Sequence, residues 1–202
     1  GKISWEDYQK MKGIFQNKED HNFNNHNVEP EELIEILYDE RQGEIETLVF
    51  ELLLYSGIRF SEAIKLINEF DEDKLECFNR FCRYGLFWMG GEKRCDWIYL
   101  PTKLVEKLRR YEGYYRGRKL HGLGRYFEKK YGIDLKLFRK LFYRICRQVS
   151  DKKVRNFIES RISKLSTGDI HYDNLLSRTD SIYPEIVKRI EEVIDQVLTE
   201  MS

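Results

Sequence analysis

Apolar residues recur at spacings of three and four along most of this chain, the pattern of amphipathic helices. Residues 5–16 and 30–41 carry it, separated by the polar stretch HNFNNHN at 21–27, which reads as a loop. Over 44–56 (EIETLVFELLLYS) apolar side chains cover most of the circumference, which predicts a central core helix. Gly57 is placed to stop it. The next helix is expected to begin near Ser61, whose hydroxyl can cap free amides, with Glu62 suiting the positive helix end, and to run to about Asn68. Residues 78–100 change character: aromatics, a GGEK turn and a closing Pro101 predict two or three short strands with hairpins. Helical spacing resumes over 102–111, 120–130, 134–148 and 151–160. Pro184, at a first turn, opens a last helix over 184–199 with Ile186, Val187, Ile190, Val193, Ile194 and Val197 on its apolar stripe. The mostly polar stretch 173–183 reads as a hinge before it, and the stripe is expected to dock on a second copy of the chain. The expected fold is mainly α with a small antiparallel β-sheet.

Length and composition narrow this. At 202 residues the chain holds one sizeable domain and a short appendage, divided here into an N-terminal linker and helical segment (1–43) and a main domain (44–202). A hydrophobic content of 41% and aromatic content of 14% exclude a disordered tail. No apolar run spans a bilayer and no signal peptide opens the chain, so a cytoplasmic place is expected. Cys77, Cys82, Cys95 and Cys146 lack zinc-site spacing and are read as reduced thiols, with no metal and no cofactor expected.

The net charge of zero hides a strong asymmetry. Residues 1–102 balance to −9, residues 103–164 to +14 and residues 165–202 to −5. A basic block of that density suits a polyphosphate partner, because each neutralised phosphate releases counterions. A nucleic acid is the expected partner, with Lys140, Arg144, Arg147, Lys152 and Lys153 as its backbone contacts. The plainer alternative is a solvated helical surface.

No glycine-rich nucleotide loop and no Ser/His/Asp set stands out; an ordered series of cations ending in a tyrosine does. Arg59, in SGIRFSEA, sits at the start of a helix, where an arginine is poorly placed unless an anion or Glu62 sits beside it. Lys93 occupies the MGGEKRC turn, where a lysine is ordinarily just solvated. Lys136 and Arg139 lie three apart on DLKLFRKLFYRICRQ and share a face able to grip one phosphate. Arg161 follows the next helix, and Tyr172 comes in GDIHYDNLL. Tyr143 and Tyr183 compete with Tyr172 as nucleophiles.

That order resembles the catalytic core of the tyrosine recombinases, the DNA breaking-rejoining enzymes. Arg59 in SGIRFSEA is similar to the family's first arginine motif, T/S-G-x-R-x-S-E. Lys136-Leu-Phe-Arg139 stands where the family has His-x-x-Arg. Arg161, eleven residues before Tyr172, stands for the second His, and His171-Tyr172 resembles the His-Tyr pair at the nucleophile. Lys93, eight residues before Pro101, matches the hairpin lysine of one branch. The Lys and Arg that replace the two histidines resemble archaeal viral and plasmid integrases of fusellovirus type. The resemblance covers about residues 44–190, and with only about 43 residues ahead of the first core helix the family's core-binding domain is expected to be absent.

The resemblance implies a site-specific recombinase or integrase that works without metal and assembles as a dimer or tetramer on DNA. Arg59 and Arg139 would hold the non-bridging oxygens of the scissile phosphate, and Arg161 would add a donor. Lys136 would assist proton traffic or phosphate contacts, Lys93 would protonate the leaving 5′ oxygen, and Tyr172 would form a 3′-phosphotyrosyl link. A type IB topoisomerase and a catalytically degenerate DNA-binding module are the alternatives.

Overall fold

The computed structural model describes residues 29–39, 42–90, 93–158 and 169–201. The helix expected over 5–16 and the loop at 21–27 lie outside them. Eight α-helices and three strands follow in the described chain: α1 (Pro30–Leu37), α2 (Glu44–Ser56), α3 (Phe60–Asn68), β1 (Leu75–Cys77), β2 (Phe81–Gly90), β3 (Lys93–Pro101), α4 (Lys103–Arg110), α5 (Leu120–Tyr131), α6 (Lys136–Val149), α7 (Lys152–Ile158) and α8 (Asp169–Met201). The fold is mainly α with one small antiparallel sheet of order β1-β2-β3, as the periodicity predicts.

Helix α2 is the hub. Leu48, Val49, Phe50 and Leu52 are fully buried on different sides of it, which is why its sequence shows no polar face. Phe50 stacks on Phe138 of α6 with centroids 4.9 Å apart and meets Phe127 of α5 edge-on at 5.6 Å. Helix α1 adds Leu33, Ile34 and Leu37 to the same core.

A single carboxylate joins α2 to α5. Glu46 is buried and accepts from the Gly43 N–H (3.1 Å), the Tyr126 hydroxyl (2.7 Å), the Tyr131 hydroxyl (2.7 Å) and Lys130 Nζ (2.7 Å). Burial pushes its pKa up, but these donors outweigh burial and bring it down to about 2. Because the folded value lies below the unfolded one, this stabilisation is complete above the ordinary glutamate range and is lost as pH falls towards 2. Glu46→Gln is therefore expected to remove about 1–3 kcal/mol at neutral pH. Its unfolding free energy should also fall less between pH 7 and pH 3 than that of the wild type, as denaturant titrations at the two pH values would show.

The sheet carries helices on the faces of its alternating residues. Tyr84 on β2 stacks on Phe70 at 5.7 Å and donates to the Glu69 carbonyl at 2.9 Å. On the opposite parity, Phe81 and Tyr99 pack on Tyr183 of α8 at 5.6 and 5.2 Å. Gly85 pairs with Trp97 while Trp88 pairs with Cys95, so β2 holds one extra residue there. That bulge places Phe87 at φ 43°.

Four expectations need correction. Helix α3 begins at Phe60, and its first turn is capped by Glu62 rather than by Ser61: the Glu62 carboxylate accepts the Arg59 N–H at 2.6 Å. The cysteines are not all reduced, because Cys77 and Cys82 are directly opposed on β1 and β2 with Cα atoms 4.1 Å apart and form a disulfide. Cys95 and Cys146 are buried and lie outside this disulfide.

Pro184 does not open a helix; it lies inside the 33-residue α8. The apolar stripe extends upstream through Leu175, Leu176, Ile182 and Tyr183 at helical spacing, so the supposed hinge 173–183 is helical. A proline inside a helix costs about 3 kcal/mol, and burial of Tyr183, Ile186 and Val187 around it offsets that cost. Finally, the stripe of α8 is covered by this chain's own core, with Ile186, Ile190, Ile194 and Val197 nearly inaccessible, so docking on a second copy is not what buries it.

Candidate functional site

The candidate site is a cleft of about 470 Å³ between the start of α3, the start of α6 and one side of α5. Its walls include Arg59, Phe60 and Ser61, then Gly124 and Glu128, then Asp134, Lys136, Arg139 and Lys140.

Arg59 reaches the cleft because of the turn before it. Gly57 ends α2 with φ 61°, donating to the Leu53 carbonyl at 3.1 Å. A side chain at 57 would also put its Cβ 2.2 Å from the Phe142 ring, so glycine is needed here for space as well as for conformation. Phe142 thereby holds α6 directly against the segment that delivers Arg59. The Arg59 guanidinium pairs with Glu62, the partner weighed from sequence, and Glu62 is almost wholly buried. A carboxylate fixed by burial and by the helix-end amide sets the direction of the guanidinium and leaves it about one-fifth exposed.

Lys136 and Arg139 come from the first turn of α6. Asp134 accepts the Lys136 N–H at 2.9 Å and lies 3.8 Å from Lys136 Nζ. The neighbouring Phe138, stacked on Phe50, fixes the helix rotation that turns Arg139 to the cleft. The starts of two helices therefore border one cavity, and their dipoles add positive potential to that of Arg59, Lys136, Arg139 and Lys140. The carboxylates of Glu128 and Asp134 oppose it only in part. Chemically, the cations lining the cleft suit an anionic ligand such as a phosphodiester.

The structure thus brings Arg59 together with Lys136 and Arg139, which lie far from it in sequence. Residue 93 opens β3 opposite Gly90, and residue 172 lies in the first turn of α8, but neither side chain is among those described. Arg161 lies outside the described residues. Of the competing tyrosines, Tyr183 is fully buried and donates to the Tyr55 carbonyl at 2.9 Å; burial raises its pKa well above the usual range, so it is closed to substrate. Tyr143 is half-buried beneath the Arg155 guanidinium, 5.5 Å from its ring centre.

Folding redistributes the basic block. Lys103, Lys107, Arg109, Arg110 and Lys130 are engaged by Glu191, Glu51, Glu72, Glu44 and Glu46. Lys140, Arg144, Arg147, Lys152 and Lys153 are exposed, and no carboxylate among the described residues pairs with them. Arg118, Lys119, Arg125 and Lys129 share that property, although the sequence pattern did not single them out. Only the fold tells which lysines are already neutralised. Among the described residues no three His, Cys, Asp or Glu side chains cluster to hold a metal ion, and no helix is long and apolar enough to cross a membrane.

No curated protein matches the sequence. The family of archaeal phage integrases matches residues 25–189, a span that includes the cleft, the sheet and residue 172. The chain belongs to the archaeal phage integrase family.

Proposed function

We propose that this chain is a site-specific recombinase that cuts and rejoins double-stranded DNA through a 3′-phosphotyrosyl link to Tyr172. The observation that carries the proposal is the convergence of Arg59, Lys136 and Arg139 with the starts of two helices on one cleft. Integrase family membership supports the DNA substrate.

In the proposed reaction the Tyr172 hydroxyl releases its proton to solvent as its oxygen attacks phosphorus, and the bond to the 5′ oxygen breaks as a proton reaches that oxygen. Charge builds on the non-bridging oxygens in the transition state. Arg59 and Arg139 answer it with forked donors, a task that suits guanidinium better than ammonium. Arg161 adds a donor, Lys136 assists at the same phosphate, and Lys93 supplies the proton to the leaving group. These groups offset the phosphate charge, so the step draws on no metal. The tyrosyl ester retains the bond energy, and the reverse attack by a 5′ hydroxyl reseals the strand without a nucleotide cofactor. Lys140, Arg144, Arg147, Lys152 and Lys153 hold the flanking backbone, and protomers assemble on DNA as a dimer or tetramer.

A nicked suicide substrate tests this reading. A covalent protein–DNA adduct formed in the presence of a chelator is expected; DNA binding without adduct would leave only a binding module. Recombination between two sites, as against relaxation of a supercoiled plasmid alone, separates a recombinase from a type IB topoisomerase. The role of Lys93 has its own test. A 5′-bridging phosphorothiolate leaves without a proton, so it should restore most of the cleavage lost in Lys93→Ala. Rescue of Arg94→Ala instead would move the acid one residue along, and rescue of neither would remove it from this hairpin.

A further inference from the structure

We infer that Asp180 is a positioning residue that sets the helix carrying Tyr172 in register with the sheet that Lys93 opens; its role in cleavage rests on the tyrosine reading above. Both Asp180 oxygens are used. Oδ1 accepts from the Tyr99 hydroxyl at 2.7 Å and Oδ2 from Arg83 Nη1 at 2.6 Å. Arg83 and Tyr99 are themselves a paired cross-strand couple on β2 and β3, so one carboxylate of α8 bridges two strands at a single rung.

Each partner is rigidly held. Arg83 Nε donates to Glu76 at 2.9 Å, and its guanidinium lies over the rings of Phe78 and Trp97 at 5.3 and 5.1 Å. Tyr99 is fully buried against Tyr183. One turn along α8, Tyr183 donates to the carbonyl of Tyr55, four residues before Arg59. Helix α8 is therefore tied both to the sheet and to the segment that delivers Arg59.

Rigidity carries this setting to the nucleophile. Asp180 and residue 172 belong to one unbroken helix, eight residues and so about 12 Å apart. Apolar contacts such as those of Leu175 and Leu176 tolerate small rotations and slides. A carboxylate with both oxygens committed to a fixed rung does not, since a shift of about an ångström breaks both bonds. Partly buried ion pairs add little net stability compared with apolar packing, and their best-attested use is to fix register. Here the register fixed is that of α8.

The test pairs a distance with a rate. Spin labels would be attached at Tyr172→Cys and at Met89→Cys on β2, where the wild-type side chain is 60% exposed. Cys95 and Cys146 are buried, and Cys77 and Cys82 are joined to each other, so labelling is confined to the two new sites. The distance distribution is expected to be narrow with Asp180 and to broaden or shift with Asp180→Asn. In parallel, Asp180→Asn with Tyr172 intact is expected to form adduct at least tenfold more slowly, at DNA affinity within about twofold of wild type.

An unchanged distance distribution overturns the inference, and so does adduct formation within twofold of wild type. Should Asp180→Asn fail to fold, Tyr99→Phe removes one of the two bonds and is read by the same two measurements. It is expected to broaden the distribution and slow adduct formation at least threefold; no change in either overturns the inference. A wild-type chain that forms no adduct ends the tyrosine reading and the cleavage role together, while the distances still decide whether Asp180 sets the helix.

Discussion

Replacing Arg139 or Arg59 with Ala is expected to slow covalent cleavage by roughly 10²-fold or more, the scale for losing one transition-state donor. DNA affinity should fall much less. Two facts of the fold separate these effects. The cleft joins Arg59 and Arg139 at one cavity, whereas the cations Lys140, Arg144, Arg147, Lys152 and Lys153 are exposed along α6 and α7. Losing one of many phosphate contacts changes binding modestly, but losing a donor aimed at the reacting phosphate changes the rate. Single-turnover adduct formation and a binding titration on the same duplex would measure both. A rate within threefold of wild type for either variant would contradict the phosphate-clamp role.

Removing residues from 184 onward is expected to unfold the domain. The deletion strips Ile186, Val187, Ile190, Ile194 and Val197 from the core, all nearly or fully buried. Emptying one such site typically costs about 2–5 kcal/mol. Several together exceed the roughly 5–15 kcal/mol that holds an ordinary domain. The truncated chain should lose its cooperative thermal transition and bind DNA no better than an unfolded basic peptide. A cooperative melt with wild-type half-site binding would show instead that the helix is dispensable, and would reopen docking on a second copy.

Much of the fold was legible because local pattern and tertiary role agree. The uniformly apolar 44–56 stretch is the hub helix, and Gly57 stops it. The motif residues Arg59, Lys136 and Arg139 were legible as an ordered set, and their convergence on one cleft is a property of the fold. The failures also have physical causes. Pro184 reads locally as a helix start, and only the apolar positions 175, 176, 182 and 183 upstream, which gain from burial, carry the helix through it. The Cys77–Cys82 bond depends on strand register, which five residues of sequence do not specify. The Glu46 hub gathers donors about eighty residues away, and Asp180 gathers partners on two strands, so neither has a local signature.

The proposed cleavage turns on the identity of the nucleophile. Incubating the chain with a nicked suicide duplex, digesting the adduct with protease and sequencing the peptide that retains DNA measures it directly. The predicted result is DNA on Tyr172, with Tyr172→Phe binding the same duplex at wild-type affinity and forming no adduct. DNA attached to Tyr143 or any other residue, or an adduct that persists in Tyr172→Phe, would contradict it.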